Sequence, residues 1–418
     1  MGRGALSEQA EGAWRAGGER KLWSRNFSLF FSARVVAKLG DGMLPVALSA
    51  GLIAHGHGAG GIGLAMASFS ACFVAFVVFG GVLSDRWGAR RLMIAADLVR
   101  VVTQGTVAVL FLTGHVVLWQ ICVIGAVNGI AAGAFQPGAG SVIPRVAGDV
   151  HGANAVIRTA EALAMLLGPA VAGLLVALFS AAGVLAVHAG AYALGAVLLG
   201  LVRLPGTAGR RGRGPGYAAD LAEGWREFRS RTWMWSVILL WMVLMVSMWG
   251  PQVPLTASEI ITGHGAQAFG LVSSALGGGT ALGGLVAMQV RPRFPLRAGT
   301  LALFGAGAFS VSVGLGLPAP ALALGAAVSG AMMGFWGVMW STSVQTHTPR
   351  RVLGRIHSYE MAGSLAMMPV GQALAGPAAE LFGARPLLLV GGAATLVVGL
   401  VLLLVRPVRN LRAVPARR

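Results

Sequence analysis

Gly80-Gly81-Val82-Leu83-Ser84-Asp85-Arg86-Trp87-Gly88-Ala89-Arg90-Arg91 sets one acid and three arginines between two long apolar stretches. Charges at that density cannot lie in hydrocarbon, so the segment reads as a compact charged hairpin at a membrane surface. The flanking stretches must then enter and leave a bilayer at this point. Composition agrees: 56% of residues are hydrophobic and 11% charged, and the mean hydropathy is +0.74, whereas in soluble domains about a quarter of residues are charged. A bilayer-spanning helix needs about 20 predominantly apolar residues. Twelve stretches qualify, at 27–53, 61–83, 92–113, 116–143, 153–179, 183–202, 233–257, 266–289, 295–317, 319–345, 356–382 and 386–405.

The formal charge of +18 could point to nucleic acid, but its distribution points to topology. Of 32 lysines and arginines, Arg34, Lys38, Arg100 and Arg158 fall inside spans and Arg385 in an outer loop; all others, counting Arg297 at the edge of its span with the adjoining loop, lie in the termini and the loops on the same side as them. That is the positive-inside pattern, and it predicts cytoplasmic termini in a multi-pass protein of the cell inner membrane. No nucleic-acid partner is expected. The N-terminus lacks a short apolar core followed by a small-residue cleavage site, so no removable signal is expected either. Cys72 and Cys122 fall within spans and read as packing residues.

The longest polar interruption, Arg203 to Arg231, has six spans on each side. Its Gly/Pro/Arg portion predicts a flexible linker and residues 217–228 a surface helix. The expected fold is therefore all-α and integral to the membrane, with twelve transmembrane helices in two pseudo-symmetric six-helix bundles. The expected divisions are an N-terminal lead (1–26), a first bundle (27–203), a linker (204–231), a second bundle (232–406) and a tail (407–418). Weak internal similarity supports the pairing of halves: Gly80-Gly81 resembles Gly283-Gly284, Ile143-Pro144-Arg145 resembles Thr348-Pro349-Arg350, and Gly168-Pro169 resembles Gly376-Pro377.

The segment Gly81-x-Leu83-Ser84-Asp85-Arg86-x-Gly88-x-Arg90-Arg91 closely resembles the loop 2–3 signature of the major facilitator superfamily. The resemblance implies that Gly81 allows close helix packing, Gly88 the turn, and that Asp85 contacts the inner end of helix 11 near Gly354-Arg355, holding an inner gate shut. In helix 5, Ala155-x8-Ala164-x3-Gly168-Pro169-x2-Ala172-Gly173 resembles the motif of the drug–proton antiporters, with alanine at three glycine positions. Small residues at this spacing allow close helix contact, and Gly-Pro introduces a bend. The arginine that many antiporters carry in helix 4 is missing, where Gln120, Gly125 and Asn128 stand, and Ala134-Phe135-Gln136-Pro137 resembles the macrolide and siderophore efflux branch. The resemblance implies a proton-coupled exporter.

Ionisable groups inside a membrane helix cost at least about 2.5–3.5 kcal/mol, so each is a functional candidate. Arg34, Lys38 and Asp41 share one face of helix 1. Asp41, near mid-span, is the first choice for a proton carrier, since burial and a nearby cation act on its proton affinity in opposite senses; a permanent Asp41–Lys38 pair is the alternative. Asp97 with Arg100 in helix 3, and Arg158 with Glu161 in helix 5, read as same-helix pairs of a salt-bridged inner gate. Glu161, and Glu360 in helix 11 with no cation one turn away, are further proton-coupling candidates.

The cargo site is expected between the halves at mid-depth. Candidate lining groups are Asn128, Gln136, Trp241, Met245, Met248, Trp249, Gln252, Met332, Met333, Trp336, Trp340, Met367 and Met368, because methionine and tryptophan make an adaptable apolar surface. His55, His57, His188 and His264 lie toward outer ends without metal-ligand spacing, so no metal or cofactor is expected. There is no G-x-x-x-x-G-K-[ST] loop for ATP and no nucleophile, base or metal cluster for an enzyme. The reading is a monomeric transporter of the cell membrane that moves an amphipathic small molecule outward against protons. A lipid, lysophospholipid or siderophore transporter of the same fold, a membrane-embedded enzyme and a non-transporting sensor are the alternatives.

Overall fold

The computed structural model describes residues 23–203, 226, 228–348 and 363–413, and every regular element among them is helical. The first bundle comprises α1 (Arg25–Ala54), α2 (Ala59–Trp87), α3 (Ala89–Thr113), α4 (Leu118–Val146), α5 (Val150–Leu178) and α6 (Ala181–Leu201). A 58-residue run, Thr232–Gln289, follows. Gly265 breaks it at φ 84° and ψ 167°, leaving two crossings, α7 (232–264) and α8 (266–289). Then come α9 (Pro295–Gly314), α10 (Ala319–His347), α11 (Met368–Phe382), α12 (Ala384–Leu404) and a single turn, α13 (Arg406–Arg409). Among the described residues ten runs are long and apolar enough to cross a membrane. With the Gly265 break, and with α11 as the described part of the eleventh expected crossing, each of the twelve expected spans has a helical counterpart. The outward side chains suit lipid: Leu112, Phe179 and Leu404 are at least 75% exposed on helix flanks.

The charged segment at Gly80–Arg91 is not a hairpin loop. α2 runs helically through Ser84, Asp85 and Arg86 to Trp87, and α3 begins at Ala89, so the turn is Gly88 alone, at φ 83°. Once past hydrocarbon, a helix can keep its backbone hydrogen bonds while its charges meet water, so hydropathy marks the bilayer edge and not the helix end. A side chain at Gly88 would be strained by that positive φ. Arg90 then folds back, donating from Nε to Leu199 O at 2.9 Å and from a terminal nitrogen to Gly200 O, which satisfies bare carbonyls at the end of α6.

Three hydrophobic cores organise the bundle. One is shared by both halves: Met43, Val46, Leu52 and Ile62 join Leu255, Ile260, Phe269 and Phe309 at the end away from the chain termini. At the termini end the core is double, with Phe27, Phe30, Met93 and Phe135 in the first half and Trp233, Met234, Leu244 and Trp336 in the second. The halves are thus fused at one end and, among the described residues, packed separately at the other.

Glycine contacts at the fused end make the repeat explicit. Within the halves, Gly42 of α1 meets Gly168 of α5, and Gly250 of α7 meets Gly371 of α11. Between them, Gly173 of α5 meets Gly270 of α8, and Gly376 of α11 meets Gly60 of α2. A Cβ on Gly376 would lie 2.2 Å from Gly60 Cα, and one on Gly270 2.4 Å from Pro169 O, so neither position has room for a side chain. These contacts correct the repeat read from sequence: Gly168 corresponds to Gly371, and Gly173 to Gly376. The Gly168-Pro169 and Gly376-Pro377 pairs look alike but occupy different levels of the two helices.

Candidate functional site

A cavity of about 430 Å³ lies in the first half, closed on one side by Val253 of α7 and by Leu365, Met368 and Gln372 from the α11 side. That size falls within the range of small-molecule sites. Leu48, Phe69, Phe73, Ile121, Ile124 and Met165 supply most of an apolar wall. Lys38, Asp41, Arg100, Gln104, Asn128 and Tyr192 form a polar strip from α1, α3, α4 and α6.

Asp41 is the hub of the strip. Lys38 Nζ donates to its Oδ2 at 3.0 Å, the Tyr192 hydroxyl donates to Oδ1, and His188 Nε2 stands 3.7 Å from Oδ1. The helical periodicity of α1 places Lys38 and Asp41 on one face, and His188 and Tyr192, four residues apart in α6, form the opposing wall. Gly40 allows this approach, because a Cβ there would lie 2.3 Å from the His188 ring. Arg100 lies over the Tyr192 ring, 4.7 Å from its centroid, and 5.8 Å from that of Phe135. The rings meet the cation with their negative faces.

The expected same-helix pairs do not form. Asp97 and Arg100 are both buried, but Asp97 Oδ1 and Arg100 Nε have no hydrogen-bond partner, and no ion pair joins the two residues. Glu161 turns away from Arg158 and pairs with Arg34 of α1, while Arg158 is exposed. The reason lies in helix packing: α1 lies against α5, and an interhelical partner there is better shielded from water than one on the outer flank of the same helix. Because Arg34–Glu161 joins two helices of one half, it cannot lock the halves together. Glu161→Ala is expected to destabilise the protein by about 3 kcal/mol by stranding Arg34, and Arg158→Ala by no more than about 0.5 kcal/mol. Melting curves of the two variants in detergent check this; equal losses would restore the same-helix pair.

Asn128 and Gln136 lie in the cavity wall, and buried Asn128 Oδ1 has no partner. Met368 joins them in the wall, whereas the remaining lining candidates lie elsewhere. Trp241, Trp336 and Trp340 stack in series with centroids 5.8 and 6.2 Å apart, Trp249 stacks on Trp241 at 6.5 Å, and Trp233 meets Trp340 edge-on. Trp336 and Trp340 are buried in the second half's own core, with Trp249 and Met333 packed against it. Gln252 Nε2 donates to Ser310 Oγ at 3.1 Å within the same half. Met245 is buried beside the α11 contact of α7, and Met367 precedes cavity-lining Met368 without itself lining the cavity. The tryptophans found one another, and composition gives no sign of which way a ring faces.

Sequence reasoning missed Tyr192, Gln104, Ser70 and Gln372, and placed His188 toward an outer end when it is buried against Asp41. The Ser70 hydroxyl donates to Gln372 Oε1, a hydrogen bond between the halves, and Ala170 N donates to Ser274 Oγ at 2.9 Å, a second one beside Pro169. A signal for α6 existed: a histidine and a tyrosine four residues apart in an otherwise apolar span. Arg355 and Glu360 lie outside the described residues, as does the Asp85 side chain; Arg86 and Arg91 are exposed, and Gly81 is within α2. Among the described residues no cluster of His, Cys, Asp and Glu could hold a metal ion.

A helical membrane bundle in two halves, with a solute-sized cavity in the first half that the second half closes on one side, is the plan of a transporter. The chain belongs to the Major Facilitator Superfamily, whose family model matches residues 30–368. It is 20% identical over 401 residues to macrolide efflux protein A of Streptococcus pyogenes, covering 93% of this chain and 98% of that protein. It is 26% identical over 399 residues to the multidrug efflux pump Tap of Mycolicibacterium fortuitum, covering 92% and 96%. Among solved structures, the nucleoside transporter NupG superposes with a TM-score of 0.71 at 14% identity, covering 91% of this chain and 98% of that one. A POT family transporter in complex with 5-aminolevulinic acid superposes with a TM-score of 0.69 at 12% identity, covering 92% and 96%. The protein is thus a multi-pass membrane transporter acting on small molecules, not an enzyme.

Proposed function

We propose that this protein exports an amphipathic organic molecule across the cytoplasmic membrane in exchange for protons, with both termini in the cytoplasm. The observation that carries the reading is Asp41, a carboxylate set in the wall of a largely apolar cavity and tied to Lys38 and Tyr192. A group so placed meets both cargo and proton, so occupancy by one can disfavour the other. The apolar wall suits the body of an amphipathic cargo, and the unpartnered acceptors Gln104 Oε1 and Asn128 Oδ1 suit its hydrogen-bond donors. Fusion of the halves at the end away from the termini fits an inward-facing state, which would take up cargo from the cytoplasm. The names of the two efflux relatives agree with this direction. In alternating access the halves would part at the glycine contacts and close at the termini end.

The test is a cargo screen in inverted membrane vesicles energised to acidify their interior. Lipophilic cations, macrolides and labelled lysophospholipids are supplied with and without a protonophore. The proposal expects accumulation of an amphipathic drug-like compound that collapses on protonophore addition. Accumulation indifferent to the protonophore would remove proton coupling, and transport of labelled lipid alone would reassign the cargo.

A further inference from the structure

A second concavity, of about 450 Å³, lies on the outer flank of the second half at the termini end, lined by Arg297, Leu301, Leu400, Leu403, Leu404 and Arg409. We propose that it is a binding site for one anionic phospholipid, with the headgroup phosphate held by Arg297 and Arg409 and an acyl chain lying along the leucines. The geometry is two stripes at helical spacing. Arg297 and Leu301 are one turn apart on α9, and Leu400 and Leu404 one turn apart on α12. α9 and α12 pack closely where Gly399 faces the Phe304 ring, and the groove lies on their lipid side, where Leu301, Leu400 and Leu404 are all more than half exposed.

Charge complementarity selects the occupant. Both polar members of the lining are arginines and none is an acid, so among the described residues the site carries two cations without a paired acid, beside an apolar slot. A zwitterionic lipid would bring its own cation to the pair, and a soluble anion would leave the slot empty. Basic residues near a membrane surface attract anionic lipid, and the planar guanidinium matches a phosphate with paired donors.

The segment that carries Arg409 is also held in place by the fold. Val408 of α13 is fully buried, Ala413 N donates to Arg293 O at 2.9 Å, and His347 Nε2 meets Arg412 O at 3.0 Å. These contacts fasten the chain after α12 onto the ends of α9 and α10, so Arg409 is presented at the groove by the fold.

The experiment uses the full-length protein, delipidated in detergent, with phosphatidylglycerol, phosphatidylcholine or inorganic phosphate added. Native mass spectrometry counts bound lipid, and melting reports stabilisation. The expected result is one tightly retained phosphatidylglycerol that raises the melting temperature, with neither phosphatidylcholine nor phosphate doing so. The double variant R297Q/R409Q is expected to weaken that retention at least about tenfold, whereas R25Q, which removes an exposed arginine from the same end of α1, leaves it unchanged. Equal retention of the two lipids by wild type would overturn the proposal without recourse to any variant. So would full retention by R297Q/R409Q, equal loss in R25Q, or stabilisation by phosphate alone.

Discussion

Asp41→Asn is expected to abolish pH-driven efflux, with a loss of at least about a hundredfold, while the protein is still made and inserted. The amide keeps the volume of the carboxyl and can accept from Tyr192, so the architecture of the hub survives. What it cannot do is bind and release a proton. It also strands Lys38, which donates to Asp41 in the wild type and has no other partner in that contact. A loss in Asp41→Asn alone would therefore mix two effects. The double variant Lys38→Met/Asp41→Asn separates them, because it restores charge balance without restoring a titrating group. Melting of the double variant should return toward wild type, and its proton-coupled transport should stay lost. Cargo binding, measured by tryptophan fluorescence or by displacement of a labelled ligand, should change only a few-fold in either variant, because the apolar wall is intact. Normal coupled transport in Asp41→Asn would remove Asp41 from the mechanism, and recovery of coupling in the double variant would reduce the residue to a structural counter-ion.

The extent to which this site is legible in sequence follows from what each residue type encodes. A charge in a membrane helix is costly wherever it points, so Arg34, Lys38, Asp41, Asp97, Arg100 and Glu161 all stand out from the sequence alone. Their partners do not. Spacing along one helix suggests Arg158 for Glu161, but contact between α1 and α5 supplies Arg34. Spacing likewise joins Asp97 to Arg100, whereas the guanidinium rests on aromatic rings from α4 and α6. Tryptophan and methionine carry still less direction, since an apolar side chain is as stable in a bundle core as in a cavity wall. That ambiguity sends the cargo candidates to the second half, where the rings stack on one another. The crossings themselves are the easiest to read, because twenty apolar residues have few other fates, and only their ends move, as at Gly88.

The glycine contacts between the halves lead to the second large effect. Gly270→Leu and Gly376→Leu are each expected to reduce transport at least about tenfold by preventing the end away from the termini from closing. The space to be filled is absent: a Cβ at Gly270 would meet Pro169 O at 2.4 Å, and one at Gly376 would meet Gly60 Cα at 2.2 Å. In both cases the obstacle is backbone, which cannot rotate aside as a side chain can, so the helices must separate. A separation on one side only, between α5 and α8 or between α2 and α11, still spreads the interface that Ser70–Gln372 and Ala170–Ser274 tie together. If that interface must form and part in each cycle, a leucine wedge holds the cycle at one stage and does not merely slow it. Accessibility then reports the stage. With Cys72 and Cys122 replaced by serine, a cysteine introduced at Ser70 or Ser274 should react faster with a membrane-impermeant maleimide added from the wedged side. Gly337→Leu, on α10 where a Cβ would meet nothing within 4 Å, serves as the control and should leave both transport and labelling unchanged. Transport at wild-type rates in both wedged variants would mean that this contact stays closed throughout turnover, and alternating access about it would have to be abandoned.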